Sequence, residues 1–167
     1  MKSMKRAAQA GFTLIELIVV IVILGILAAT ALPKFVSFGS DARIASLNAA
    51  RGAMMTTASM VKGKYVIEGG AKTTLTVEGG KVTYVAGNGY PQADADFAAA
   101  AGLGADYTVV AAGQAVGTYT PATAANTIAV IPGGIAGTTA ALTCFVAYTQ
   151  NTTANAAPTS ALTTSGC

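Results

Sequence analysis

The strongest pattern in the chain is an apolar run near its N-terminus. Residues 12–32 read FTLIELIVVIVILGILAATAL, and after Glu16 the run contains no charge and one hydroxyl group. A helix needs about 20 apolar residues to cross a bilayer. The run therefore predicts a membrane-spanning helix that begins near Phe12.

Beyond this run the pattern becomes amphipathic and keeps a helical period. Apolar residues recur near three- and four-residue spacing, with charged and amide residues between them. These apolar positions are Ile44, Leu47, Met54, Met55, Ala58 and Val61. We predict one helix from about Phe12 to Val61, with residues 62–64 (Lys-Gly-Lys) near its end. Gly25 and Pro33 punctuate the helix and are predicted to loosen or kink it.

Short alternating stretches bounded by turn residues follow, a pattern typical of strands. Residues 73–78 and 81–85 predict a hairpin that turns at Gly79 and Gly80. The Asn-Gly-Tyr-Pro segment at residues 88–91 predicts a turn. Further strands are predicted at residues 106–111, 127–131 and 142–149. The tail from 150 to 166 is expected to be loose unless Cys167 ties it back.

An alanine-rich segment before Gly102 predicts a second, short helix. Asp94 or Asp96 is placed to cap its N-terminus, and Gly102 is placed to end it. Together these elements predict an α+β fold, in which the C-terminal half of one long N-terminal helix packs on an antiparallel β-sheet head.

Positive charge is concentrated at the N-terminus. Lys2, Lys5 and Arg6 are three of the ten Lys and Arg residues, and the other seven balance the seven Asp and Glu residues. No Lys or Arg follows Lys81. Positive residues before an apolar run favour the cytoplasmic side of a membrane. The second half has no basic surface for a polyanion, so no nucleic-acid partner is predicted.

Four basic residues of the amphipathic half of the predicted helix have two ordinary interpretations. They are Arg43, Arg51, Lys62 and Lys64. Each is either a solvated helix position or one half of an ion pair between copies of the chain.

Candidate chemistry is sparse, because the chain has no histidine and two cysteines, Cys144 and Cys167. Histidine-dependent catalysis and the common zinc sites need residues that are absent. We predict no catalytic residue, no metal, no cofactor and no enzymatic activity. In an exported protein the cysteine pair favours a disulfide that closes a loop of about 24 residues. The alternative is two free thiols in a reducing compartment.

Glu16 is the anomaly of the apolar run. A carboxylate in a membrane helix is costly unless it is paired, and no Lys, Arg or His lies in the run to pair with it. A cut after Gly11 would keep the run on the mature protein and create an α-ammonium group on Phe12. The ammonium group of a second copy would then be a partner for Glu16. The alternative is a protonated carboxyl group near the membrane interface.

Residues 11–16 (GFTLIE), with basic residues before them and the apolar run after them, resemble the class III leader and methylation site of type IV pilins and pseudopilins. The resemblance implies that a prepilin peptidase cuts between Gly11 and Phe12 and that Phe12 is N-methylated. It implies that Glu16 governs subunit docking. It also implies that the helix between residues 25 and 33 can melt on assembly.

Two further segments resemble the major pilins of the mannose-sensitive haemagglutinin (MSHA) type. They are KFVSFGSDARIASLNAARGAM at residues 34–54 and GYPQADADFAAAAGL at residues 89–103. This resemblance implies a major subunit that polymerises into a helical filament for adhesion and biofilm formation. Its implied partners are a prepilin peptidase, an inner-membrane assembly platform with an ATPase motor, and an outer-membrane secretin.

The resemblance also implies a location and an organisation. The precursor is expected in the inner membrane of a Gram-negative bacterium, and the assembled pilus on the cell surface. The predicted parts are a leader at 1–11, a transmembrane and filament-core helix at 12–35, its amphipathic half at 36–65, and a β-rich head with a disulfide loop at 66–167. Two different functions stay open: the major pseudopilin of a type II secretion system, and a monomeric membrane-anchored domain.

Overall fold

A computed structural model describes residues 12–77 and 80–167 of the chain. The predicted leader, residues 1–11, lies outside the described residues, as does Gly79 of the predicted hairpin turn. The chain divides into two compact units, and the division falls between Gly39 and Ser40.

The first element is a single helix, α1 (Leu14–Ile67), which contains both helical patterns of the sequence. Gly25 and Pro33 lie within it, and the helical assignment is unbroken at both positions. Loosening or kinking of the helix at these residues stays a prediction.

The end of α1 differs from the prediction, which placed it at about Val61. The helix continues to Ile67 and carries the ring of Tyr65 against that of Tyr84, with the ring centroids 4.8 Å apart. It stops where Gly69 and Gly70 take left-handed φ angles of 78° and 73°. Glycine adopts this conformation at low cost and commonly ends helices. The prediction was wrong because it took the glycine between two lysines as the end signal.

The C-terminal part of α1 buries one face in the core of residues 40–167. The buried positions follow helical spacing: Leu47, Ala50, Met54, Ala58 and Val61. The other two predicted apolar positions, Ile44 and Met55, are half-buried.

A two-stranded hairpin follows α1, as predicted. Strand β1 (Thr74–Val77) pairs antiparallel with β2 (Gly80–Thr83), and Val77 lies opposite Gly80. A turn follows β2, but it lies earlier than the predicted residues 88–91. The N–H groups of Asn88 and Gly89 both donate to the carbonyl of Val85, at 3.0 and 3.1 Å, so the turn covers residues 85–89.

The short helix α2 (Ala95–Ala100) is capped by Asp94, whose Oδ1 accepts a hydrogen bond from the Phe97 N–H at 2.8 Å. Of the two predicted capping residues, the structure therefore selects Asp94, and Asp96 lies in the first turn. Gly102 follows the helix with a φ of 78°, in agreement with its predicted role.

The main sheet has four antiparallel strands, and each pairs with its neighbour along the chain. The strands are β3 (Tyr107–Val110), β4 (Thr127–Pro132), β5 (Phe145–Thr149) and β6 (Thr159–Thr163). The first two agree with the prediction. The third begins at Phe145, because Thr139–Leu142 forms a 3-10 turn instead of the start of the strand.

The tail at residues 150–166 was expected to be loose unless Cys167 ties it back, and Cys167 does so through its disulfide with Cys144. Strand β6, which occupies part of this tail, was not predicted. Strand β6 pairs with β5, and Leu162 lies opposite Val146. Pairing satisfies backbone groups along β5 that would otherwise need other partners. Threonine and leucine in β6 also suit a half-buried strand.

The core of residues 40–167 joins α1, α2 and the main sheet. Phe97 of α2 and Tyr148 of β5 are both fully buried, with ring centroids 4.4 Å apart. The Tyr148 hydroxyl donates to the carbonyl of Pro91 at 3.0 Å. Leu47 and Met54 of α1 belong to the same core, which confirms the predicted α+β arrangement of a long helix packed on an antiparallel sheet.

Candidate functional site

The candidate site is the N-terminal part of α1. Leu14–Ala31 has a mean hydropathy of 2.8, and none of this segment is buried. In the part of the chain that the structure describes, it is the one helical segment long and apolar enough to cross a membrane. A helix that is apolar on every side needs lipid or other protein around it.

The carboxylate of Glu16 is hydrogen-bonded to Thr13 at the start of this helix. Its Oε2 accepts hydrogen bonds from both the backbone N–H and the hydroxyl of Thr13, each at 2.8 Å. The Glu16 N–H in turn donates to the Thr13 hydroxyl at 3.3 Å. Thr13 immediately precedes the first helical residue, Leu14, so the two side chains form a reciprocal capping box.

Thr13 is the functional residue that the sequence reasoning missed. The signal was present, because a threonine followed three residues later by a glutamate, just before an apolar run, is the signature of a capping box. The prediction considered only the charge of Glu16 and therefore overlooked the hydroxyl group of Thr13. The capping box satisfies backbone donors at the helix start and gives Glu16 two partners within its own chain.

Of the two residues at the predicted cleavage site, the structure describes Phe12 but not Gly11. Phe12 precedes the helix and is 94% exposed. Gly11 lies outside the described residues, so cleavage between Gly11 and Phe12 and methylation of Phe12 stay predictions. For Glu16 Oε1, no donor is found among residues 12–77 and 80–167.

The two arginines of α1 donate hydrogen bonds to the C-terminal segment of the chain. Arg43 Nη1 donates to the carbonyl oxygen of Cys167 at 2.6 Å, and Arg51 Nε donates to Ser160 Oγ at 2.9 Å. Both arginines are exposed, as predicted for solvated positions, but each also bonds within its own chain.

Lys62 also bonds within the chain and orders the turn after β2. Its Nζ donates to the carbonyl of Asn88 at 2.5 Å and lies 5.4 and 5.5 Å from the ring centroids of Tyr65 and Tyr90. A cation over aromatic rings is stabilised by their quadrupoles. The interpretation of Lys62 as a merely solvated position was therefore wrong.

Glu68 joins two lysines at the end of α1. Its Oε1 lies 3.4 Å from Lys64 Nζ and 3.1 Å from Lys72 Nζ. The hydrogen bond from Lys72 is the main cause that lowers the pKa of the Glu68 carboxyl. Burial, followed by the nearby charge of Glu68, raises the pKa of the Tyr84 phenol.

The two cysteines are joined, as predicted. Cys144, which is fully buried, and Cys167 form a disulfide with their Cα atoms 4.9 Å apart. No group of three His, Cys, Asp or Glu side chains within the described ranges is arranged to hold a metal ion.

Comparison with known proteins bears on the N-terminal segment. Residues 6–32 match the family model of the prokaryotic N-terminal methylation motif. Residues 6–32 therefore carry the N-terminal methylation motif. The match includes all of the GFTLIE sequence at residues 11–16. It confirms the resemblance of this segment to the methylation site of type IV pilins and pseudopilins.

Two curated relatives share this region. Type II secretion system core protein G of Pseudomonas aeruginosa is 54% identical over 41 residues, which are 25% of this chain and 29% of that protein. The type IV narrow pilus major component PilA5 of Thermus thermophilus is 47% identical over 57 residues, which are 34% of this chain and 43% of that protein. The chain spans less than half the length of either relative, and no solved structure matches it.

Proposed function

We propose that the protein is the major structural subunit of a type IV pilus of the MSHA type, which serves adhesion and biofilm formation. One observation carries the proposal: Glu16 lies in the first turn of an apolar helical segment that is not buried by its own chain and that falls within a methylation motif. The two relatives are by name a pilus component and a secretion-system component, which supports a structural role rather than an enzymatic one.

In the proposed mechanism, cleavage after Gly11 frees the amine of Phe12, and methylation keeps it charged. The ammonium group of one subunit then pairs with Glu16 of its neighbour. Thr13 occupies Oε2 of that carboxylate, which leaves Oε1 for the incoming ammonium group. A buried ion pair of this kind fixes the register of the helices more than it adds net stability.

The apolar residues of Leu14–Ala31 form the proposed filament core. Moving them from lipid into a bundle of similar helices changes their surroundings little, so hydrophobic transfer supplies little of the driving force. Packing between helices, the Glu16 pair and contacts between heads supply the specificity. Extraction from the bilayer needs work, which we assign to an inner-membrane platform and its ATPase.

The proposed location follows from this mechanism. The precursor is inserted in the inner membrane of a Gram-negative bacterium and is processed by a prepilin peptidase. The assembled pilus leaves through an outer-membrane secretin and lies on the cell surface.

The decisive experiment compares Glu16→Gln with Glu68→Gln. Both replace a carboxylate with an amide of similar size, but Glu68 lies far along the chain from the apolar segment and pairs with Lys64 and Lys72. Sheared surface fibres are counted by electron microscopy and identified by mass spectrometry. We expect normal filaments from Glu68→Gln, but few or none from Glu16→Gln, whose protein stays in the membrane as a monomer.

A second arm tests the leader. Mass spectrometry of the native filament subunit should give an N-terminus at methylated Phe12, and a Gly11→Glu variant should stay uncut and unassembled. Normal piliation by both Glu16→Gln and Gly11→Glu would defeat the proposed function.

The major pseudopilin of a type II secretion system is the second candidate. The 54% identity with core protein G favours it over a monomeric membrane-anchored domain. A Cys144–Cys167 disulfide in the C-terminal region favours the pilin. Deletion of the gene distinguishes them: a pilin is needed for surface fibres, whereas a pseudopilin is needed for export of other proteins into the medium.

A further inference from the structure

Asn88 is the one asparagine of the chain that is followed by glycine, and the pair lies at the end of the turn after β2. In an Asn-Gly pair the backbone nitrogen of the glycine can attack the carbon of the asparagine side-chain amide, because glycine has no Cβ to obstruct the approach. The attack forms a cyclic succinimide and releases ammonia. Water then opens the ring to aspartate or isoaspartate, so deamidation is the chemistry available to this pair.

The side chain of Asn88 is fully buried and holds the C-terminal segment of the head. Its Nδ2 group donates to the carbonyl of Asn151 at 2.6 Å and to that of Ala156 at 2.9 Å. We call these two hydrogen bonds the Asn88 clasp. The opposite orientation of the amide would set its oxygen against two carbonyl oxygens, so the partners fix Nδ2 as the donor. The backbone carbonyl of Asn88 accepts the bond from Lys62 Nζ.

The fold also requires the glycine of this pair. Gly89 has a φ of 77°, in the left-handed region that glycine adopts at low cost. A Cβ at this position would overlap the ring of Tyr65. The chain therefore cannot exchange Gly89 for a larger residue without strain, and the reactive pair is a fixed part of the clasp.

Three features keep the pair unreactive while the clasp is closed. Both hydrogens of the Asn88 amide, which would leave as ammonia, are held by carbonyls. The Gly89 N–H donates to the carbonyl of Val85 at 3.1 Å and is not free to attack. Among the residues that the structure describes, Asn88 Oδ1 is buried without a donor. The negative charge that develops on this oxygen during the attack therefore has no support in the closed head.

We propose that Asn88 is a modification site, which deamidates when residues 151–156 leave the clasp and whose product prevents the clasp from closing again. The carboxylate of the product has no N–H group to donate to the carbonyls of Asn151 and Ala156. It would also be buried beside their two oxygens, where a charge is costly. The reaction thus turns a reversible opening of the head into a permanent one, and it does not depend on the proposed filament function.

The first test measures deamidation of the full chain in detergent micelles at mildly alkaline pH, by peptide mapping with mass spectrometry. We expect Asn88 of the native protein to react at least about 100-fold more slowly than Asn88 of the same protein in denaturant, since the reaction needs an opened state. Asn126, which precedes threonine, is the internal control in both samples and should stay intact.

Two variants open the clasp from different sides. The Cys144–Cys167 disulfide closes the loop that contains residues 151–156, so replacing both cysteines by serine should speed the reaction of Asn88 roughly tenfold or more. Lys62→Met removes the bond to the Asn88 carbonyl and should speed it about fivefold. Lys64→Met is the matched control, because Lys64 pairs with Glu68, and it should leave the rate unchanged.

The second test examines the product through Asn88→Asp. Its control is Asn48→Asp, which makes the same change at an exposed position of α1. Hydrogen exchange is followed at the amides of Gln150 and Ala156, which are bonded to the carbonyls of Asn126 and Thr153. We expect both amides to exchange roughly tenfold faster in Asn88→Asp and at the unaltered rate in Asn48→Asp.

Four results would overturn the inference. They are equal reaction rates of Asn88 in native and denatured protein, no acceleration in the double-serine variant, equal rates in the two methionine variants, or equal amide exchange in the two aspartate variants. The kinetic measurements use the unaltered asparagine, so they decide the matter even where Asn88→Asp does not fold.

Discussion

Two regions of α1 are both helical, but they differ in whether the rest of the chain buries their apolar side chains. In Leu14–Ala31 no part of the segment is buried, although its mean hydropathy is 2.8. In the later region, from Ser40 onward, Leu47 and Met54 are fully buried, while Arg43 and Arg51 are exposed.

The difference lies in the distribution of polar residues around the helix, not in helix propensity. The later region is amphipathic, so its own sheet can cover the apolar face. The earlier region is apolar on every side, and one sheet cannot cover every side of a helix. A chain that keeps such a region therefore needs lipid or further copies of itself.

The largest expected effect compares the same substitution in the two regions. Leu47→Ala should lower the free energy of unfolding of the head by about 2–5 kcal/mol, because it opens a cavity in the core. Leu24→Ala, at a position that is 58% exposed, should change it by less than about 0.5 kcal/mol. Denaturant unfolding of the detergent-solubilised protein, followed by near-ultraviolet circular dichroism, measures both. Equal losses would mean that the two regions are not distinct.

The disulfide ranks next. Replacing both Cys144 and Cys167 by serine should cost about 3 kcal/mol, since the unfolded chain regains the freedom of the closed loop. The same unfolding assay measures the loss, and the N-terminal region should keep its helical signal. Unchanged stability, or two free thiols in the native exported protein, would contradict the prediction.

The capping box should give a smaller effect that is confined to the start of α1. Thr13→Ala removes one donor to Glu16 and should destabilise the first turn by about 1 kcal/mol, whereas Thr13→Ser keeps the cap. Hydrogen exchange of the first-turn amides in detergent micelles measures local opening. If the alanine and serine variants exchange at the same rate, the capping box has no energetic role.

The smallest effect concerns Asp94 at the start of α2. Burial is the main cause that raises the pKa of the Asp94 carboxyl above its ordinary value, against the hydrogen bond from the Phe97 amide. Because the folded pKa lies above the unfolded one, ionisation costs stability. This stability is fully present below the unfolded pKa and is lost as the pH rises through the folded pKa.

Asp94→Asn keeps a good capping residue and does not titrate. We expect Asp94→Asn to remove that part of the stability loss, which sets in as the pH rises above the ordinary pKa of an Asp carboxyl. Thermal unfolding at a series of pH values measures the change, with Asp106→Asn as the control at an exposed carboxylate outside α2. The same pH profile for Asp94→Asn and the unaltered protein would rule the effect out.

Much of the fold was predictable because its signals are local. The 3.6-residue period specified α1, and the short, continuous apolar run within residues 127–131 indicated β4. Strand β6 was missed because a threonine-rich tail is equally typical of a loop, and its composition alone does not reveal the pairing of Thr159 with Thr149 of β5. The end of α1 was misplaced because a tertiary contact of Tyr65 outweighs one internal glycine.

The candidate site was predictable in identity but not in geometry. The motif named Glu16 and Phe12, yet charge reasoning alone overlooked the hydroxyl of Thr13. The bonds from Arg43 and Arg51 to the C-terminal segment join residues more than a hundred positions apart. The helical period predicts which side of the helix is polar, but it does not predict which residues that side contacts.

The order of the main sheet has a consequence for how the head is made. Each strand from β3 to β6 pairs with its neighbour along the chain, so the sheet forms from contacts that are close in sequence. Such topologies fold quickly, because little loop-closure entropy is lost before pairing begins. Each strand therefore has a pairing partner as soon as the strand before it in the chain is in place. The Cys144–Cys167 disulfide joins the residue before β5 to a residue beyond β6, so the covalent bond spans the last pair of strands.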